Sequence, residues 1–473
     1  MSADLDGVLA AIRSGPQGAA VAAIFDFGGT VVDGFPRRGT FRRLFRRAGT
    51  EEVLLRGIRH GTTDGEYGRY LNQLSEALAG KREDELDALG ERLFRRKMYG
   101  HLYFEAWQLI RTHQAAGHTV VLTSSLTRFQ VAPAAAELGV DHVLATPMAA
   151  QDGVLTGYPD GKTLWRNGKA EAVREFAADS IDLARSYAYT DSAADLPLLS
   201  LVGHPITVNP DEEITTVAAE HDWPTLRFRP RPAARPVDYA RTTAGFAGLL
   251  GGAFYGVAVK SPTRDHRQMA DALLEHAAGN TLSIAGVRLR VTGAEHARAP
   301  RPAVFLFNHQ SQFDIIIVPE VLRGGVTGIG KKELTRNPIF GPLMRFVGVT
   351  FIDRSSTDKA KAALAPVVDT LRGGLSIAVA PEGTRSYTPQ VGPFKKGAFH
   401  IAIQAGVPII PIVIRNAGEI CWRNSMVARP GTVDVAILKP IDVSAWDPND
   451  LDDKVAGVRQ LYLDTLLDWP EPD

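Results

Sequence analysis

Val304-Phe305-Leu306-Phe307-Asn308-His309-Gln310-Ser311-Gln312-Phe313-Asp314 joins a short apolar run to a polar turn that carries an imidazole and a carboxylate. The run reads as a buried strand, because it is short, rich in Val, Leu and Phe, and ends at turn-forming residues. Histidine titrates near neutral pH, so His309 can take a proton from an alcohol and return it to a leaving group. Asp314 is the carboxylate that would fix the imidazole tautomer and stabilise its cation. Residues five apart on a regular helix differ by about 140° in direction, so the two side chains meet only if the turn is irregular. His309 is therefore expected at a strand-to-helix junction. Downstream, Pro381-Glu382-Gly383-Thr384-Arg385-Ser386 offers a basic turn of phosphate size. Neither segment is a Gly-x-Ser-x-Gly elbow, which points to an activated substrate hydroxyl rather than an enzyme serine. The chemistry suggested is acyl transfer onto an alcohol that carries a phosphate.

Around this stretch the chain repeats the same grammar. Val349–Ile352, Leu375–Ala378, Ile409–Ile414 and Val433–Leu438 are further strand-like runs, and helical periods separate them. A second α/β pattern precedes it, with strand-like runs at Ala22–Phe25, Thr119–Leu122, His142–Ala145, Arg185–Tyr189 and Pro205–Val208. Strands alternating with helices predict a parallel sheet with crossover helices. The alternation breaks between about 35 and 114, where the chain is helical and charged, as expected of a cap over the sheet's carboxyl edge. Arg229-Pro230-Arg231-Pro232-Ala233-Ala234-Arg235-Pro236 reads as a linker, since closely spaced prolines stop helix and sheet alike. The expected organisation is a first domain over 1–228, a connector over 229–280 and a second domain over 281–473.

The connector contains Thr242 to Val259, which has no charged residue and lies between Arg241 and Lys260. As a helix it would span roughly 27 Å, close to a bilayer's hydrocarbon thickness. Gly248, Gly252 and Gly256 recur every fourth residue, a spacing that lets helices pack closely. A membrane-seated or interfacial helix and a buried soluble helix both fit, and basic flanks at both ends set no orientation. In the cap, Arg37, Arg38, Arg42, Arg43, Arg46 and Arg47 surround Phe41, Leu44 and Phe45 at helical spacing. That face is either solvated or attracted to anionic lipid.

The chain has 473 residues, 45% hydrophobic and 22% charged, as in globular proteins of two or three domains. Lys plus Arg and Asp plus Glu are 53 each, so no global field draws it to nucleic acid. Cys421 is the only cysteine, which excludes an intrachain disulfide, fits a reducing compartment and reads as a packing residue. The first 18 residues carry acids and no apolar core, unlike a signal peptide.

Five ordered blocks give the second domain a family resemblance. Asn308–Asp314 is followed by Lys331-Lys332-Glu333-Leu334, then Gly348-Val349-Thr350-Phe351-Ile352-Asp353-Arg354, then Pro381–Ser386, then Val407-Pro408-Ile409-Ile410-Pro411. This order resembles the glycerolipid acyltransferases, specifically the 1-acylglycerol-3-phosphate acyltransferases, over about 281–440. The resemblance implies that His309 is the general base on the sn-2 hydroxyl of lysophosphatidic acid and that Asp314 orients it. It implies direct attack on an acyl thioester, with acyl-CoA or acyl carrier protein as donor. Arg354 and Arg385, helped by Lys331 or Lys332, would hold the substrate phosphate together with Gly383 and Thr384, because guanidinium matches phosphate in bidentate fashion. Glu382 would shape that turn or pair with a cation. Lys395 and Lys396 could hold donor or acceptor phosphates, and a solvated pair is the favoured reading.

A second ordered set lies in the first domain. Asp26-Phe27-Gly28-Gly29-Thr30 follows a strand, Ser124 ends another, Lys169 opens a helix, and Asp191-Ser192-Ala193-Ala194-Asp195 follows Tyr189. A carboxylate, a hydroxyl, a lysine and an acidic pair at strand ends suit Mg²⁺-dependent phosphoryl transfer. The set is similar to the haloacid dehalogenase superfamily, in particular its phosphoserine-phosphatase-like branch, a Rossmann-like parallel sheet with a helical cap. The resemblance implies Asp26 as nucleophile, Ser124 and Lys169 as phosphate binders, and Asp26, Gly28 (through its carbonyl), Asp191 and Asp195 around the metal. The family has a second aspartate where this chain has Gly28, and that aspartate acts as acid and base. Losing such a group typically costs on the order of 10²–10⁴-fold. A weakened phosphatase, a trapped phosphoenzyme and a regulatory scaffold all fit, and the scaffold or the weakened enzyme is favoured.

The expectation is an acyltransferase of phospholipid synthesis acting at the cytoplasmic face of the cell membrane, in contact with membrane lipids. The alternative is a bifunctional enzyme whose first half is a phosphatase. The sequence sets neither the acyl donor nor the oligomeric state.

Overall fold

The computed structural model of the chain describes residues 4–34, 49–55, 62–178, 180–230, 234–298, 300–352, 365–423, 425–447 and 450–470. They form two compact units, Met1–Pro232 and Ala233–Asp473. The arginine-rich segment 37–47 and Arg354 lie outside the described residues.

In the first unit the strands are β1 (Ala22–Asp26), β2 (Thr119–Thr127), β3 (His142–Thr146), β4 (Met148–Gln151), β5 (Val154–Pro159), β6 (Tyr187–Thr190), β7 (His204–Val208) and β8 (Thr225–Leu226). Six of them make a parallel sheet in the order β3-β2-β1-β6-β7-β8. β1 is central and buried along its whole length, which is why it reads as an unbroken apolar run ending in an acid. Helices Thr50–Leu54, Asp64–Leu78 and Glu83–Leu93 gather beside the β4–β5 hairpin around Leu74, Leu78, Leu86 and Leu155. The second of these starts at a capping box, Thr63 with Glu66, which satisfies two otherwise orphaned N–H groups. Helix Phe104–Ala115 instead buries Ala106, Trp107, Leu109 and Ile110 beside β2, so it belongs to the sheet's layer rather than to the cap. At its end His113 Nδ1 meets His118 Nδ1 at 2.8 Å and His113 Nε2 meets the Tyr189 hydroxyl at 2.8 Å, a buried structural cluster.

The second unit has β9 (Val287–Thr292), β10 (Val304–Phe307), β11 (Val326–Lys331), β12 (Thr350–Ile352), β13 (Ser376–Val379), β14 (Ile409–Ile414) and β15 (Gly431–Ile437). Their order is β12-β11-β13-β10-β14-β15-β9, parallel except for the antiparallel β14–β15 pair. β9 and β11 are strands that the apolar-run reading misses. β9 is Val-Arg-Leu-Arg-Val-Thr, an alternating edge strand, and β11 is diluted by Gly328 and Gly330.

The apolar connector forms helix Pro236–Lys260, which lies antiparallel against helix His266–Ala285 within this unit. Glycine is required at the contact: a Cβ at Gly252 would stand 2.4 Å from the His276 carbonyl oxygen, and one at Gly256 would stand 2.4 Å from that of Ala272. The helix also buries Leu249 and Ala253, and its other face points outward, with Phe254 77% and Tyr255 58% exposed. By length and composition the helix could cross a membrane.

Candidate functional sites

The turn after β10 builds the first site. Asn308 is buried and pairs with β14 as a strand would: its Nδ2 donates to the Ile414 carbonyl at 2.8 Å, and its Oδ1 accepts from the Ile414 N–H at 2.7 Å. That anchor fixes where the chain leaves the sheet. His309 occupies the strand-to-helix junction, and Asp314 is the first residue of helix Asp314–Leu322. One oxygen of Asp314, Oδ2, accepts from His309 Nδ1 and from the N–H groups of Gln310 and Ser311, each at 2.8 Å. The carboxylate is fully buried, so the turn curls around it, and this curl is what brings residues five apart together. With Nδ1 committed to Asp314, Nε2 is the imidazole nitrogen left for proton transfer.

The turn after β13 is tied to the same histidine. Ser386 N–H donates to the His309 carbonyl at 2.7 Å. Glu382 Oε1 accepts from His309 N–H at 2.7 Å, and Oε2 accepts from Gly392 N–H at 2.9 Å. Burial pushes the Glu382 carboxyl up to about 7, against the pull of those two N–H groups. Both oxygens are spent on backbone, so Glu382 shapes the turn. Gly383 takes φ +73°, a conformation that favours glycine. Arg385 Nη1 donates to the Arg423 carbonyl at 2.8 Å, and the Arg423 guanidinium donates back to the Arg385 carbonyl. Arg423 was not legible as a site residue, because it stands in no recognisable block. Lys331 ends β11, and Lys332 opens the exposed turn Lys332–Arg336. Cys421 is buried, with its thiol pushed up to about 11 by that burial, which suits packing and not catalysis.

The second site lies at the carboxyl ends of β1 and β6. Lys169 Nζ donates to Asp26 Oδ1 at 2.6 Å and to Asp195 Oδ2 at 2.7 Å, and the Thr190 hydroxyl donates to the same Asp195 oxygen at 2.8 Å. Burial, partly offset by Lys169, raises Asp26 to about 6; burial and then Asp26 raise Asp191 well above the ordinary carboxylate range. Gly29 has φ +83° and a Cβ there would fall 1.7 Å from Asp191 Oδ2, so this glycine is required by the close approach of a carboxylate. Ser124 is buried, and its Oγ accepts the Leu126 N–H at 3.2 Å.

Three buried carboxylates here share one ammonium, a charge excess that a divalent cation would offset. Asp26 and Asp191, close enough for their charges to interact, are side chains of the right chemistry for it. Lys169 and Thr190 take oxygen Oδ2 of Asp195, as Lys169 takes Oδ1 of Asp26. Among the described residues no cluster of three or more His, Cys, Asp or Glu side chains forms a metal cage, so backbone and water would complete the shell. Asp33, the nearest acid to Gly28 in the following turn, is paired with His101.

Comparisons with known proteins divide the chain in the same way. Residues 288–415 match the acyltransferase family model, and residues 23–200 match the model of haloacid dehalogenase-like hydrolases. The human 1-acyl-sn-glycerol-3-phosphate acyltransferase alpha is 36% identical over 179 residues, 38% of this chain and 63% of its own. The chain thus spans a little under two thirds of that relative. The 1-acyl-sn-glycerol-3-phosphate acyltransferase of Saccharomyces cerevisiae is 32% identical over 241 residues, 48% of this chain and 77% of its own. Among solved structures, a 1-acyl-sn-glycerophosphate acyltransferase from Thermotoga maritima is 25% identical, with 50% of this chain and 98% of that one covered at a TM-score of 0.43.

Proposed function

The chain belongs, through its second half, to the family of 1-acyl-sn-glycerol-3-phosphate acyltransferases, and on that premise we propose that it transfers a fatty acyl group from an acyl thioester to the sn-2 hydroxyl of lysophosphatidic acid. The observation that carries this reading is the buried Asp314 carboxylate on His309 Nδ1 at 2.8 Å. It fixes the tautomer with the proton on Nδ1, leaves Nε2 as the acceptor, and stabilises the cation formed when the substrate hydroxyl loses its proton. The alkoxide-like oxygen attacks the thioester carbonyl, the C–S bond breaks, and the proton passes from His309 to the departing thiolate. Arg385, beside Gly383 and Thr384, holds the acceptor's phosphate, with Lys332 on a neighbouring turn.

The outward face of helix Pro236–Lys260, with Phe246, Phe254 and Tyr255 exposed, supports residence at a membrane surface where the acceptor dissolves. The cytoplasmic side agrees with the lone, buried Cys421. Purified full chain given lysophosphatidic acid and acyl-CoA or acyl carrier protein in turn should yield phosphatidic acid, and the faster donor identifies the thioester used. No phosphatidic acid from either donor would refute the reading.

For the first half we propose a scaffold or a much-weakened phosphatase. Mg²⁺, held by Asp26, Asp191 and the Gly28 carbonyl, would supply charge neutralisation at a phosphoryl group. Asp26 stands where a nucleophile is needed, but Gly28 provides no group to hand a proton to the leaving oxygen. Mg²⁺-dependent phosphate release by the full chain at rates typical of phosphatases would contradict this assignment.

A further inference from the structure

We propose that Arg459 is a positioning residue for His309, acting through residues 389–392 and Glu382, so that helix Leu451–Leu467 sets where the base stands. The proposal rests on the acyltransferase reading and adds a residue that lies outside the stretch 288–415 matched by the family model.

Arg459 is half-buried on that helix and reaches two successive carbonyls. Its Nε donates to the Gly392 carbonyl at 2.9 Å, and its Nη2 donates to the Val391 carbonyl at 2.7 Å. A planar guanidinium held at two points fixes direction as well as distance. Gly392 passes the constraint on: its N–H donates to Glu382 Oε2 at 2.9 Å, and Oε1 of the same carboxylate accepts the His309 N–H at 2.7 Å. The approach is tight, since a Cβ at Gly392 would stand 3.1 Å from Glu382 Oε2. A second tie joins the same segment to the residue after the base, with Gln310 Nε2 donating to the Pro389 carbonyl at 3.4 Å. Residues 389–392 form neither helix nor strand, so no hydrogen-bonded ladder places them, and Arg459 supplies the hold.

The same helix also holds the strand that leads into the base. Tyr462, fully buried, donates its hydroxyl to the Leu306 carbonyl at 2.7 Å, and its ring meets that of Phe394 edge-on at 5.1 Å. Positions three apart share a helix face, so one face of Leu451–Leu467 meets both β10 and the segment that bonds Glu382. His309 is thus fixed twice. Asp314 sets the tautomer through the side chain, and the path from Arg459 sets the main chain, and with it the place of Nε2.

The test reads position and turnover separately, on the full chain and well below its melting temperature. R459M keeps the packing of the stem and removes the donors, and R459K restores a donor without the fork. Hydrogen exchange at the His309 amide reports the hold itself. In R459M that amide should exchange roughly 10-fold faster, the factor for one lost hydrogen bond. A base displaced by about 1 Å costs on the order of 10²-fold, so kcat should fall by roughly 10–100-fold while both KM values stay within a factor of about two. R459K should recover part of both losses. The double variant R459M/E382Q should be little slower than E382Q alone, because the two substitutions break one path. Unchanged exchange or unchanged kcat in R459M overturns the proposal, and so does a loss that adds in full to that of E382Q. If wild type makes no phosphatidic acid from acyl-CoA or acyl carrier protein, the proposed function fails, and the exchange rate alone decides whether Arg459 holds His309.

Discussion

Glu382 holds His309 by its main chain, accepting the His309 N–H at 2.7 Å through Oε1 while Oε2 accepts the Gly392 N–H at 2.9 Å. Because burial raises its carboxyl from 4.5 to about 7, the folded state keeps a proton that the unfolded chain releases. Stability from this group is complete below about pH 4.5 and is lost as pH rises towards 7. Wild type should therefore lose melting temperature relative to E382Q across that window. A difference between the two that does not change with pH would rule out the raised carboxyl.

Asp314 gathers three N–H donors on one oxygen, so its removal affects both the tautomer of His309 and the shape of the turn. D314N is expected to lower kcat by on the order of 10²–10⁴-fold while leaving the KM for acyl-CoA nearly unchanged. A kcat within a factor of two of wild type would remove Asp314 from the mechanism.

The helix pair of the second unit separates packing from surface. G256V drives a branched side chain towards the Ala272 carbonyl, where even a Cβ stands at 2.4 Å, and should lower the melting temperature by several degrees. Gly251 has nothing within 4 Å of its added Cβ, so G251V should melt close to wild type. F254S, at a side chain 77% exposed, should keep stability and weaken sedimentation with anionic vesicles. Vesicle binding by F254S equal to wild type would argue against this face as the membrane contact.

In the first unit, G28D restores an acid beside Asp26. If the site is otherwise intact, Mg²⁺-dependent hydrolysis of an aryl phosphate should rise by on the order of 10²–10⁴-fold. Failure to rise would mean that the Lys169–Asp26–Asp195 arrangement is closed to substrate.

The legible and illegible parts of this chain divide by physical type. β10 and β14 were readable to the residue, because buried central strands are unbroken apolar runs. β9 and β11 were not, since an edge strand alternates and glycines dilute the signal. The site showed a parallel split. His309 and Asp314 share one short segment, and the mismatch of their spacing with a helix itself pointed to an irregular turn. Arg423 meets Thr384 only through tertiary folding across 39 positions. That the Gly29 position lies against the Asp191 carboxylate is likewise a tertiary fact.

The most direct measurement is the rate of phosphatidic acid formation from lysophosphatidic acid and acyl-CoA by wild type and H309A, at matched folding and vesicle binding. If His309 is the general base, the variant should be slower by roughly 10²–10⁴-fold with acceptor binding retained. Near-normal turnover by H309A would contradict the account.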